Sequence, residues 1–177
     1  MQLLHKNYFQ IFSLPENYNL DLDTLADSYR KLQAQVHPDK FASSSEPEKM
    51  LAVQSASLLN EAFETLTAPQ KRAAYLLNLQ DIDVTVVDQA ELSSDLLLEQ
   101  IQFREELEEI PHAETAIENL DALRRKIETR VSKSQQSFAI NLQAKQFSEA
   151  KTNYFEMQYC YKLIQDIEAV EEELLGY

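Results

Sequence analysis

His37, Pro38 and Asp39 stand side by side, followed by Lys40, and put three unlike chemistries into four residues. A neutral imidazole offers one donor and one acceptor, a carboxylate only accepts, and proline has a fixed φ and no N–H. General acid–base catalysis is one use for such a set. No nucleophile, cofactor motif or evident pocket accompanies it, so an enzyme reading has little support. Recognition of a partner's arginine and backbone groups suits the set better. Other chemistries are excluded more simply. Cys160 is the one cysteine, which rules out an intramolecular disulfide and a CxxC metal pair, and burial in a helical core is its expected role. His5 and His112 lack a helical partner at ligand spacing. Gly176 is the one glycine, so there is no Gly-rich phosphate cradle. No cofactor and no metal site are expected.

The elements that must hold this turn read clearly on both sides. Before it, Leu22, Leu25, Tyr29, Leu32 and Val36 fall on one arc when residues advance by about 100°, with Arg30 and Lys31 off that arc. After it, Ser45-Glu46-Pro47-Glu48 has the form of a capping box with proline in the first turn. Ala52, Ala56, Leu59, Phe63 and Leu66 then mark a second helix with a narrow apolar seam. Two amphipathic helices with a polar, proline-containing tip predict an antiparallel hairpin that presents His37, Pro38, Asp39 and Lys40 for docking.

Beyond Leu77 the pattern changes. Asp81-Ile82-Asp83-Val84-Thr85-Val86-Val87-Asp88 breaks helical periodicity, which places a linker at 78–93 between a module at 1–77 and a module at 94–177. The second module has no strong helix breaker between 112 and 175 and predicts three helices, at 94–110, 113–143 and 147–175, in an antiparallel bundle. Ala116, Leu120, Leu123, Ile127, Val131, Ser134 and Phe138 form the seam of the middle helix. On the third helix, Ala150, Tyr154, Met157, Tyr161 and Ile164 are assigned to the core, with Phe155 and Tyr159 on the other side. The first helix is apolar on two faces. Leu96, Phe103, Leu107 and Ile110 cluster within about 60° and can bury it. Leu97, Leu98 and Ile101 point the opposite way, among Arg104, Glu105, Glu108 and Glu109, with the apolar centre and charged rim of a protein-binding patch.

Charge narrows the partners. The 177 residues carry net charge −14, and its distribution is uneven: seven Lys/Arg against nine Asp/Glu up to residue 77, then nine against twenty-one. Such a balance opposes binding to nucleic acid or to anionic membranes. The Glu171-Glu172-Glu173 run reads as a solvated helix end. With no apolar run of membrane-spanning length and no recognisable leader, a soluble cytosolic protein is expected.

The hairpin resembles the J-domain of DnaJ-type co-chaperones. Asn7-Tyr8-Phe9 with Ile11-Phe12 looks like its first helix, Ser28-Tyr29-Arg30-Lys31-Leu32 its second, Asn60-Glu61-Ala62-Phe63-Glu64-Thr65-Leu66 its third, and Lys71-Arg72-Ala73-Ala74-Tyr75 the start of its last. The whole chain is similar to the HscB family of iron–sulfur cluster assembly, through His37-Pro38-Asp39-Lys40-Phe41-Ala42-Ser43, Arg72-Ala73-Ala74-Tyr75-Leu76-Leu77, Glu99-Gln100 and Arg104-Glu105-Glu106-Leu107. That resemblance implies an all-α protein that stimulates an HscA-type heat-shock ATPase through His37, Pro38, Asp39, Arg30, Lys31 and Lys40. It implies delivery of the scaffold protein IscU through Leu97, Leu98, Ile101, Arg104, Glu105, Glu109 and Tyr159, by a protein expected to act as a monomer. Gln102 departs from an acid that the family can carry, Tyr159 from Phe, and Gln35-Val36 from the Lys-Tyr common before His-Pro-Asp. Two alternatives stand beside this reading. One is a J-protein serving a general DnaK-type chaperone with another client, and the other is a helical adaptor in which His-Pro-Asp is incidental.

Overall fold

The computed structural model describes residues 5–41, 43–85, 94–112 and 115–176, and among them the regular elements are all helical. The chain divides into two compact units, Met1–Gln80 and Asp81–Tyr177. Of the linker expected at 78–93, residues 86–93 lie outside the described residues. Asn78 still belongs to a helix.

In the first unit, α1 (Tyr8–Phe12) opens on a reciprocal cap: the Gln10 amide donates to Asn7 Oδ1 at 2.9 Å, and the Asn7 amide to Gln10 Oε1 at 3.2 Å. α2 (Leu22–Val36) starts at Asp21, whose Oδ1 accepts from the amides of Asp23 and Thr24 at 3.0 and 3.3 Å. It stops at His37 because the next residue is Pro38. A 3₁₀ turn, Pro38–Phe41, follows. α3 (Glu46–Thr67) begins on the expected box, with the Ser45 amide and hydroxyl donating to Glu48 Oε2 at 2.9 and 2.7 Å. Ala68 ends α3 and Pro69 opens α4 (Pro69–Asn78). There Arg72 is buried under the ring of Tyr18, 5.0 Å from its centroid, and donates to the Leu66 carbonyl at 2.5 Å, satisfying a helix-end acceptor. Tyr8 and Tyr75 stack at 4.2 Å and join α1 to α4.

The expected α2 arc is buried at Leu25 and Val36 and half-buried at Tyr29 and Leu32. Leu22 is a correction: it is exposed, since the first residue of α2 lies beyond the last packed turn. On α3, Ala52, Leu59 and Leu66 are buried as expected, and Ser55 and Ala62 widen the seam.

The second unit is built on two long helices, α6 (Ala116–Gln143) and α7 (Phe147–Leu175), with α5 (Ser94–Glu109) packed against both. A 3₁₀ turn, Ile110–His112, ends α5 where Pro111 was expected to. The α6–α7 turn passes through Lys145 at φ 58°, a left-handed position held without glycine. The α6 seam is buried at Leu120, Leu123, Ile127, Val131, Ser134 and Phe138.

The third helix needs the main correction. Ala150 and Met157 are buried, but Tyr154, Tyr161 and Ile164 are only half-buried, and the centre of the stripe runs through Cys160, Leu163 and Ile167. Phe155, assigned to the outside, is buried, and Tyr159 is half-buried. Packing against both α6 and α5 gives α7 a wider buried arc than a single seam would. Glu171 also departs from the solvated reading, since it pairs with Arg124 of α6 at 2.5 Å.

Candidate functional site

The tip of the first unit is ordered by its own short contacts. The Asp39 amide donates to His37 Nδ1 at 3.3 Å, and the Lys40 amide donates to the His37 carbonyl at 3.0 Å. His37 Nδ1 lies 3.5 Å from Asp39 Oδ2. With Nδ1 accepting, the neutral imidazole carries its proton on Nε2, so a donor and a carboxylate are offered together. Both side chains are open to a partner, 52% exposed at His37 and 90% at Asp39. Arg30, Lys31 and Lys40 are exposed as well. Arg30 pairs with Asp27 one turn away on the surface, a contact weak enough to be exchanged for a partner's carboxylate. Pro38 contributes the backbone of the 3₁₀ turn.

In the second unit α5 has two faces, and Leu97, expected on the outer one, departs from that expectation. Leu96, Leu107 and the adjoining Ile110 are buried and Phe103 is half-buried, whereas Leu98 is 57% and Ile101 53% exposed. Leu97 is half-buried at the edge between the faces, and Arg104, Glu105 and Glu109 are exposed on the outer side. Tyr159 stands differently. Its hydroxyl donates to the Gln100 carbonyl of α5 at 2.5 Å, which fixes α5 against α7, and burial pushes the phenol pKa upward. Its ring packs against the bundle core, and its polar end is already committed. Cys160, the next residue, is buried and its thiol is pushed up to about 12 by desolvation, so it stays neutral and unreactive.

Sequence reasoning missed what holds α5 in place. Arg130 of α6 reaches Glu99 on α5, with Nε 2.8 Å from Oε2 though poorly aligned for a hydrogen bond. It also donates from Nη2 to Glu156 Oε1 on α7 at 3.2 Å, and Ser134 donates to Glu156 Oε2 at 2.7 Å. The only local signal was an arginine flanking the Ile127–Val131 seam. Among the described residues, no group of three or more His, Cys, Asp or Glu could hold a metal ion, and no helix is long and apolar enough to cross a membrane.

Residues 7–75 match the model of the DnaJ domain, and residues 92–168 match the HSCB C-terminal oligomerisation domain. The co-chaperone protein HscB homolog of Vibrio vulnificus is 36% identical over 170 residues, spanning 96% of this chain and 99% of the relative. The chain belongs to the HscB co-chaperone family. The solved chaperone HscB from Vibrio cholerae superposes with a TM-score of 0.85 at 33% identity, covering 96% of this chain and 99% of that one. Human co-chaperone protein HscB gives 0.85 at 26% identity, covering 94% and 82%. The His37–Asp39 turn therefore lies in the J-domain of an HscB-family chain, and the two-faced α5 in the C-terminal domain of the same family.

Proposed function

We propose that this co-chaperone stimulates ATP hydrolysis by an HscA-type heat-shock chaperone through its J-domain and delivers the IscU iron–sulfur scaffold to it through the C-terminal bundle. The observation that carries the reading is the separation of faces on α5. One face is buried, and the other holds Leu98 and Ile101 in water with a charged rim, an arrangement that costs solubility unless something binds there. The exposed His37–Asp39 turn supports the chaperone half. Arg30, Lys31 and Lys40 steer an acidic chaperone surface, while His37 and Asp39 engage the coupling switch. The ATPase site belongs to the partner, and this chain supplies no catalysis. Leu98 and Ile101 form the centre of the client surface, Leu97 its half-buried edge, Arg104, Glu105 and Glu109 its rim, and Tyr159 its border. We assign the protein to the cytoplasm and to a monomeric state, the latter tested by mass in solution against the oligomerisation named in the family description.

The decisive experiment is steady-state ATPase of the HscA-type chaperone with and without IscU. Wild type should stimulate, and more so with IscU. His37→Gln should abolish stimulation. Leu97→Ala/Leu98→Ala/Ile101→Ala should keep the basal stimulation and lose the IscU-dependent increment. Stimulation of a DnaK-type chaperone alone would transfer the J-domain to a general chaperone, and a silent wild type would overturn the reading.

A further inference from the structure

α3 leaves two large apolar side chains in water: Met50 is 66% and Val53 55% exposed. Neither serves the hairpin core, which α3 reaches through Ala52, Ser55, Leu59, Ala62 and Leu66. Their place in the domain follows from the register of the hairpin. Tyr29 Oη donates to Asn60 Oδ1 at 2.9 Å, and the Tyr29 and Phe63 rings stack at 4.2 Å, so the middle of α2 lies level with Asn60 and Phe63. Seven residues are within about 20° of two helical turns. Val53, seven residues before Asn60, therefore shares the flank on which Asn60 meets Tyr29. In the antiparallel hairpin it lies level with Val36, seven residues after Tyr29. On α2, Gln33 Nε2 donates to Tyr29 Oη at 3.0 Å, and His37 follows directly after Val36, the last residue of the helix. Val53 thus stands beside the docking turn, and Met50 is nearly a turn closer to the tip and about 60° farther round.

Charges of both signs surround this pair, Asp39, Glu46 and Glu48 among them. Arg30 lies about two turns farther from the tip on α2 and pairs with Asp27, Lys40 follows Asp39 in the turn, and Lys49 neighbours Met50 and pairs with Glu46 at 2.8 Å. An uncharged centre bounded by charges is the anatomy of a protein interface. We infer that Met50 and Val53 form an apolar pad continuous with the His37–Asp39 turn, on which the heat-shock ATPase seats an apolar side chain while its acidic groups meet Arg30 and Lys40. This rests on the chaperone-docking reading of the turn. The same ATPase is the occupant because an ordinary interface covers about 800 Å² per partner, so a molecule engaged at His37 also covers the side chains beside it.

The test titrates the HscA-type ATPase with full-length wild type, Met50→Gln/Val53→Gln, Met50→Leu/Val53→Ile and His37→Gln, each matched by circular dichroism and melting temperature. The glutamine pair should raise the half-maximal concentration about tenfold, the scale of one well-buried apolar contact, with the plateau of stimulation retained. The Leu/Ile pair should behave as wild type. An unchanged half-maximal concentration in the folded glutamine pair, or a lowered plateau without a shift, overturns the pad while the docking turn stands. A wild type that does not stimulate at all overturns the docking reading and the pad with it, which distinguishes the two failures.

Discussion

Tyr159 shows how one atom changes a residue's role. Its ring packs against the bundle core, and its hydroxyl is spent on the Gln100 carbonyl. Tyr159→Phe keeps the ring and removes the bond, so it should lower stability by about 1 kcal/mol in urea unfolding and leave client affinity close to wild type. A large loss of affinity with unchanged stability would instead assign the hydroxyl to the client. His37 differs in kind. Its contacts with Asp39 and Lys40 lie within the turn itself, so the turn is organised locally and could be read from four residues. The Tyr159 bond spans α7 and α5, and no spacing within either helix announces it.

At the scale of elements, sequence legibility followed the range of the forces involved. The Ser45–Glu48 box, the stop at Pro38 and the α6 seam were readable because each depends on neighbours within a turn or two. The α7 stripe was misplaced because periodicity finds the best single arc, while a helix between two partners buries two. Arg130 was missed for a related reason: its partners, Glu99 and Glu156, lie on the other two helices. The caps also carry a pH dependence. Hydrogen bonds from Thr24 hold Asp21 below its usual carboxylate pKa, and those from Ser45 do the same for Glu48. A carboxylate with a lowered folded pKa stabilises above its unfolded value, about 4, and the contribution is lost as pH falls through the folded value. An Asp21→Ala/Glu48→Ala variant should therefore melt below wild type at neutral pH. The gap should shrink as the pH is brought down to about 3, measured by thermal unfolding. A gap independent of pH would mean that the caps act through geometry and not through charge.

At the scale of the whole molecule, the sharp asymmetry of charge separates the behaviour of the two surfaces. The first 77 residues are near balance and the remainder is strongly acidic. Docking through Arg30, Lys31 and Lys40 should weaken with salt, since the Debye length falls from about 10 Å at 0.1 M to about 3 Å at 1 M. Client uptake on the Leu98–Ile101 patch should change much less. Titrations of each partner across that salt range check this, and equal salt dependence would count against the division of labour. Cys160 adds a different consequence. As the one thiol of the chain, buried in the bundle and neutral until about 12, it reacts with an alkylating reagent only when the helices part. The rate of its modification is therefore a clock for opening of the second unit. That clock can be read in native buffer, without denaturant, and compared with and without the proposed scaffold partner.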